Sequence, residues 1–228
     1  MLAEPVIDTR LKPLEAFQAV RRLIANPGDT REVFTIFRAM GRRSGLKAFR
    51  RFVATPTGAQ VLHERRSLLR ALQDRAALAA LPPGTLGRDY LAFMEEQNLS
   101  AEGLVQASDS WEQDVVPPAM HFYRERMRDA HDLTHILTGY GRDPLGEVCL
   151  LAFSYAHTRN LGMAMIVGMA WLRIPKAGRK AVIEAWRHGR KARWFQELNF
   201  EALLPRPLTE ICAELNIAPP VLYQELMA

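Results

Sequence analysis

Apolar side chains recur every third or fourth position along much of the chain, and alternating runs rich in Val, Ile and Thr are missing. Leu14, Phe17, Val20 and Leu23-Ile24 hold this spacing, as do Leu62, Leu69 and Leu72. It is the period of a helix with one buried face. Breakers divide the pattern at Pro13, Asn26-Pro27-Gly28, Gly41, Thr55-Pro56, Leu81 to Gly84, Pro117-Pro118, Gly139 to Gly146, Pro175, Pro205 to Pro207 and Pro219-Pro220. The intervening segments are mostly rich in Ala, Leu, Arg, Glu and Met, which favour helices. The fold class predicted is all-α, a single multi-helix domain. Residues 1–80 read as a more basic N-terminal helical layer on the same core, and residues 81–228 as a metal-binding helical domain.

Two predicted elements matter for chemistry. Pro117-Pro118 starts a helix that runs through AMHFYRERMRDAHDLTHILT and stops at Gly139, since Pro suits the first turn and Gly the position past the end. After a Gly- and Pro-rich reversal a second helix begins near Leu145, and the short connection makes the two antiparallel neighbours. Farther on, Leu161 to Ile174 (LGMAMIVGMAWLRI) is the most apolar stretch, about two-thirds of the ~20 residues a membrane-spanning helix needs. Its small residues Gly162, Ala164 and Gly168 suggest tight packing in a core. The competing reading is an apolar groove lined by Met163, Met165 and Met169, since flexible Met adapts to a floppy chain.

Composition narrows the class. A chain of 228 residues with 48% hydrophobic and 24% charged positions is long enough to bury a core without disulfides or a structural metal, and excludes a disordered or collagen-like chain. Any metal site is then expected to serve function. Cys149 and Cys212 alone suit a reducing compartment. The start carries Glu4, Asp8 and Glu15 and no long apolar run, so neither a secretion signal nor a transit peptide is read there. The net charge of +5 is concentrated in two places. Arg38, Arg42, Arg43, Lys47, Arg50 and Arg51 lie together without an acid, and Arg187, Arg190, Lys191 and Arg193 lie beside Trp186, Trp194 and Phe195. A solvated helix face is the ordinary fate of such runs. Among functional readings a membrane surface is preferred, because Arg, Trp and Phe together suit the headgroup boundary. No zinc-finger spacing or RNA-binding signature points to nucleic acid.

On the first of the two helices sits His131-Asp132-x-x-His135. At about 100° per residue the two histidines are only about 40° apart and share one face, which lets them hold one metal. Asp132 borders that face and either coordinates or orients a ligand histidine. Glu147, in the first turn of the second helix, can swing in as an oxygen ligand, whereas Cys149 points elsewhere. His131, Asp132, His135 and Glu147 are therefore the candidate metal ligands. The spacing differs from the metalloprotease HExxH, because Asp132 stands where the general base would be. Arg124 and Arg128 fall near the histidine stripe. Arg124 reads as a surface residue paired with a neighbouring acid; Arg128, next to a ligand, offers a bidentate fork to a substrate carboxylate or phosphate.

Arg128-x-x-His131-Asp132-x-x-His135, then Gly139 and Leu145-Gly146-Glu147, resembles the HDxxH(x11)E signature of the ubiquinone-biosynthesis family known as coenzyme Q biosynthesis protein four. Gly87-Arg88-Asp89-Tyr90 with Phe93-Met94, Trp186-x-x-Gly189 and the Leu208 to Ile217 segment resemble other parts of that family, so the likeness covers roughly residues 80–220. The segment HTRNLGMAM departs from the family's usual T-G-L-P-M turn. The resemblance implies an all-helical protein, often a homo-oligomer, that binds one divalent metal, zinc foremost, through the His-Asp-His-Glu set. It implies work on a polyprenylated ubiquinone precursor at a membrane surface beside other ubiquinone-biosynthesis enzymes. With no transit peptide read, the expected location is peripheral, on the cytoplasmic side of a bacterial inner membrane.

Two roles follow from the resemblance: an enzyme that removes the ring carboxylate and puts a hydroxyl at the same carbon, or a non-catalytic lipid-binding scaffold. A Lewis-acidic metal can hold the ring's oxygens. Zinc cannot change valence, so oxidative replacement at the metal calls for iron, manganese or cobalt, or for direct attack of oxygen on the electron-rich ring. A third reading, a soluble phosphohydrolase using His-Asp metal chemistry, lacks the second His-Asp doublet such enzymes bring.

Overall fold

The structure is a computed structural model that describes residues 9–26, 29–101, 105 and 116–228. The acids Glu4 and Asp8 and the Pro27-Gly28 breaker lie outside the described residues. Everything regular among the described residues is helical. The helices are α1 (Pro13–Ala25), α2 (Thr30–Val53), α3 (Pro56–Glu64), α4 (Leu68–Gln73), α5 (Arg75–Ala79), α6 (Leu86–Glu96), α7 (Pro118–Asp129), α8 (His131–Thr138), α9 (Pro144–Thr158), α10 (Leu161–Arg173), α11 (Lys176–Lys191), α12 (Phe200–Leu203), α13 (Leu208–Glu214) and α14 (Val221–Met227). Local chemistry explains many boundaries: the side chains of Thr55, Ser67, Asp74, Thr85, Asp143 and Asn160 each accept a backbone N–H of the helix that follows, which satisfies a donor that has no partner inside the helix.

Helix α9 lies at the centre, packed against α2, α8, α10 and α11. Around it Leu133, Leu137, Tyr140, Cys149, Phe153, Ala181, Ala185, Phe200, Ile211 and Leu215 form the main core. A second cluster of Ala19, Val20, Ile36 and Ile166 joins α1 and α2 to α10, so the N-terminal helices sit on the same body. The apolar stripe that predicts α1 coincides only in part with the face that α1 buries, at Val20 and Leu23. Ala16, Ala19 and Val20 are buried, whereas Leu14 and Phe17 are 69% and 53% exposed and Ile24 45%. Small residues allow α1 to lie close along α2, where Glu15 pairs with Arg38 at 2.5 Å, and Leu14, Phe17 and Ile24 are left outside.

The apolar helix α10 divides between packing and cavity walls: Met169 alone of its three methionines lines a cavity, Met165 packs against the second core cluster, and Gly168 has open space beside it. Gly162 and Ile166 are buried in packing contacts. Ala164, Val167, Gly168 and Trp171 line one small cavity of about 280 Å³. Ile166, Met169 and Ala170 line a larger one of about 810 Å³. No described helix is long and apolar enough to cross a membrane. The aromatics expected at a headgroup boundary behave differently: Trp194 and Phe195 are core residues, 6% and 8% exposed, with Arg51 stacked on Trp194 at 4.0 Å. Trp186 is half-buried beneath Arg190. The second basic segment therefore lacks the aromatic face that made it a membrane candidate.

The buried guanidinium of α7 belongs to Arg126, 1% exposed, which forks onto Glu201 at 2.6 and 2.5 Å and also reaches the Leu198 carbonyl. Removing one partner leaves an uncompensated charge in the core. Glu201→Gln should cost about 3–5 kcal/mol in urea unfolding, and Arg126→Met with Glu201→Leu should recover most of it. Equal stability of wild type and the single variant would show that the pair is solvated.

Candidate metal centre

The helix expected from Pro118 to Gly139 is in fact two, α7 and α8, interrupted at Ala130. Thr134 explains the break. Its hydroxyl donates to the Ala130 carbonyl at 2.9 Å, on the same oxygen that receives the Thr134 N–H, and such back-bonding bends helices. Helix α8 ends at Gly139, whose φ of 73° is the left-handed cap. The chain then turns back through Tyr140–Asp143 into α9. Gly146 lets the reversal close tightly: a Cβ there would lie 2.2 Å from the Gly141 carbonyl oxygen. Asp143 caps α9 by accepting from the N–H groups of Leu145 and Gly146.

This hairpin brings the four predicted ligands together. Donor atoms of His131, Asp132 and His135 lie within 4.8 Å of one another. Glu147 reaches across from α9, its Oε1 3.5 Å from Nε2 of His135 and its Oε2 4.0 Å from Nε2 of His131. Asp132 contacts the other nitrogen of His131, Nδ1, at 3.2 Å, the place from which a carboxylate orients a ligand ring. His135 is fixed in the same way, its Nδ1 2.9 Å from the Tyr140 carbonyl. A carbonyl only accepts, so Nδ1 carries the proton and Nε2 presents its lone pair. Phe93, from the Gly87-to-Met94 segment, stacks on the His135 ring at 6.0 Å.

The charges fit this geometry. Burial, joined by the charge of His131, pushes the His135 pKa down to about 4. Burial also works against a charged His131, yet its hydrogen bond to Asp132 and the charges of Asp132 and Glu147 raise its pKa above the usual value. Asp132 is held low despite its burial, because His131 bonds and faces it. Burial raises Glu147. Cys149 is fully buried and its thiol is pushed up to about 12 by that burial.

The other candidates fall elsewhere. Arg128 directs Nε and a terminal nitrogen to Asp129, both at 2.8 Å, and both side chains are buried. Its place on the histidine stripe assumes a continuous helix, which the break at Ala130 removes. His121 faces Glu125 on α7 at 3.4 Å, and His157 packs against Phe153 and Phe195. The guanidinium beside the ligands is that of Arg142, Nε 3.9 Å from Glu147 Oε1. Nothing in its spacing singles it out, because it lies in the turn rather than on a helix face. Tyr223 of α14 was also unmarked: its hydroxyl donates to Asp143 and accepts from the Gly141 N–H at 3.0 Å, so it holds the turn on both sides of Arg142.

The residues fit a divalent metal. His135 Nε2 is buried without a hydrogen-bond partner while its lone pair faces Glu147, and a metal would satisfy it. Two imidazoles with one or two carboxylates are a donor set that takes zinc, iron, manganese or cobalt. His131 and Glu147 are 36% and 35% exposed, whereas His135 is closed off, so the set is open on one side.

His135 gives a pH test. Above pH 6.5 it is neutral both folded and unfolded. As pH falls from 6.5 toward 4, the unfolded chain takes a proton that the folded chain refuses, so stability drops by roughly 1.4 kcal/mol per pH unit. In chelator, wild type should therefore lose about 2 kcal/mol more than His135→Gln between pH 6.5 and 5, read from urea unfolding. Parallel losses would mean that His135 titrates as if exposed.

Comparison with known proteins agrees with the family resemblance. The family model described as "Coenzyme Q (ubiquinone) biosynthesis protein Coq4" matches residues 12–221. The zebrafish (Danio rerio) mitochondrial ubiquinone biosynthesis protein COQ4 homolog is 29% identical over 96% of this chain and 85% of its own length. The mouse (Mus musculus) homolog is 30% identical over 72% of this chain and 62% of its own. A solved structure from Nostoc punctiforme PCC 73102, of a protein assigned by name to ubiquinone biosynthesis, superposes with a TM-score of 0.66 at 21% identity, covering 91% of this chain and 99% of that one. With two histidines and Glu147 converging on one point and the match running nearly from end to end, the chain belongs to the Coq4 family of coenzyme Q (ubiquinone) biosynthesis proteins.

Proposed function

We propose that the chain is a metal-dependent enzyme of ubiquinone biosynthesis, exchanging the ring carboxylate of a polyprenylated hydroxybenzoate for a hydroxyl at the same carbon. The observation that supports it is the open side of the ligand set. Structural metal sites are closed by protein ligands, whereas catalytic ones keep a position for substrate. Here the imidazole Nε2 atoms and Glu147 meet where His131 and Glu147 still reach solvent. A bound metal would supply Lewis acidity to the ring's oxygens and, if iron, manganese or cobalt, electron transfer. The exchange needs one oxygen atom: dioxygen supplies it, a two-electron donor reduces the other atom to water, and the carboxyl carbon leaves as carbon dioxide. Within the chain, Asp132 and the Tyr140 carbonyl orient the two imidazoles, and His135, kept neutral by burial, remains a ligand rather than a cation.

The tail has a place nearby. The larger cavity is lined by Pro144, Leu145 and Val148, in the turn of α9 that bears Glu147, and by Met169, Ile174, Leu226 and Met227. Its lining is almost wholly apolar, as a prenyl chain requires. Partners of this reading are the polyprenylated precursor, a membrane surface and other enzymes of the pathway.

Purified protein should carry close to one divalent metal per chain and lose it on joint His131→Ala and His135→Ala change, by elemental mass spectrometry. In a strain lacking the gene, a copy with His131→Ala should accumulate a prenylated ring that keeps its carboxylate. Normal ubiquinone in that strain would sink the catalytic reading and leave the scaffold.

The membrane contact is placed by this reading on α1 rather than on the basic end of α11. Leu14, Phe17 and Ile24 form an exposed apolar ridge, and Ile24 also lines the cavity together with Arg173, Leu226 and Met227. A lipid could thus pass from bilayer to cavity without crossing water. Leu14→Asp with Phe17→Asp should weaken binding to anionic vesicles by about a hundredfold, from about 1.5 kcal/mol or more per buried side chain. Changing Arg187, Arg190, Lys191 and Arg193 to Gln should do less. The reverse order would return the contact to α11.

A further inference from the structure

The open side of the site has a frame of three side chains. His131 and Glu147 are joined there by Arg142, 33% exposed, while Asp132 and His135 are 10% and 0% exposed behind them. Arg142 is thus the cation at the exposed edge of the ligand set. The backbone under it is clamped, because Tyr223 bonds both Gly141 and Asp143. The guanidinium is also uncommitted: among the described residues it makes no hydrogen bond, its one ion-pair contact being Glu147 at 3.9 Å. With Glu147 engaged by a metal, the guanidinium of Arg142 would be left with donors for an incoming anion.

That combination is specific. A lysine would place a mobile point charge there, whereas a guanidinium on a fixed turn presents paired donors to a planar carboxylate. Arg128, by contrast, has its guanidinium on Asp129 in a buried pair. We propose that Arg142 binds the carboxylate of the ring substrate at the mouth of the metal site and so selects rings that still carry it over rings that have lost it. The inference rests on the substrate class given above. It also supplies a means of product release, since the hydroxyl that replaces the carboxylate no longer matches the fork.

The test uses metal-loaded full-length protein and two probes, a geranylated para-hydroxybenzoate and its methyl ester, which keeps the ring and tail but replaces the anion by a neutral group one methyl larger. Calorimetry should show wild type binding the acid roughly tenfold to a hundredfold more tightly than the ester, the range for a hydrogen bond to a charged group. Arg142→Gln should bind both alike and keep its metal, and Arg142→Lys should keep part of the preference. Undiminished preference in Arg142→Gln overturns the assignment and leaves the substrate class standing. Loss of metal in Arg142→Gln also overturns it, because the residue would then act on the ligands. Failure of wild type to bind either probe removes the substrate class, and this inference with it.

Discussion

The candidate metal centre depends on the hydrogen bond between the His135 ring and the Tyr140 carbonyl. A buried imidazole must find partners for two nitrogens, and this one finds a carbonyl for Nδ1 alone. The carbonyl belongs to the turn that reverses the chain, so the bond sets ring tautomer, ring direction and the angle at which α9 enters. Glu147 arrives opposite Nε2 because α9 starts where it does. Leaving Nε2 unmatched in the core would cost free energy, and a metal ion removes that cost. Other buried polar atoms among the described residues, such as the Tyr140 hydroxyl and the Trp194 indole nitrogen, also lack a partner, but at His135 alone do a second imidazole and carboxylates converge so that a cation would supply one.

Much of this was legible in the chain. Histidines four apart fall on one helical face wherever the helix is regular, and α8 is regular between His131 and His135. Gly139 marked the end of the first helix and the Gly- and Pro-rich reversal placed the second near Leu145, so Glu147 could be assigned to the facing helix. The all-α class followed from periodicity and needed no tertiary information.

What the chain concealed depends on contacts between distant segments. Thr134 breaks the long helix through a bond to its own backbone, and a stripe drawn through Ala130 misplaces Arg128. Arg142 sits in a turn, where periodicity says nothing, and its position depends on Tyr223 far along the sequence. Helix α1 shows the same blindness in another form. Its large apolar residues mark a face, but helix-to-helix distance decides which face is buried, and α2 comes close enough to require Ala16 and Ala19. Trp194 and Phe195 followed a basic run that resembled a membrane patch, while the third core cluster took Trp194 into its packing with Phe52, Val61 and Tyr123.

The clamp by Tyr223 has a consequence for how the protein is made. Tyr223 lies 80 positions after Asp143, and a ribosome adding about 5–20 residues each second takes roughly four to sixteen seconds to cover that distance. Throughout that interval the growing chain already carries both histidines and Glu147, on a turn not yet locked. A metal taken up during synthesis would then be chosen by which ions the surroundings supply, since an unlocked set of nitrogen and oxygen donors discriminates little beyond the general order of affinities. The later clamp fixes the turn in the geometry that brings the four side chains together. Protein produced in a foreign host would on this account carry the divalent ion which that host supplies.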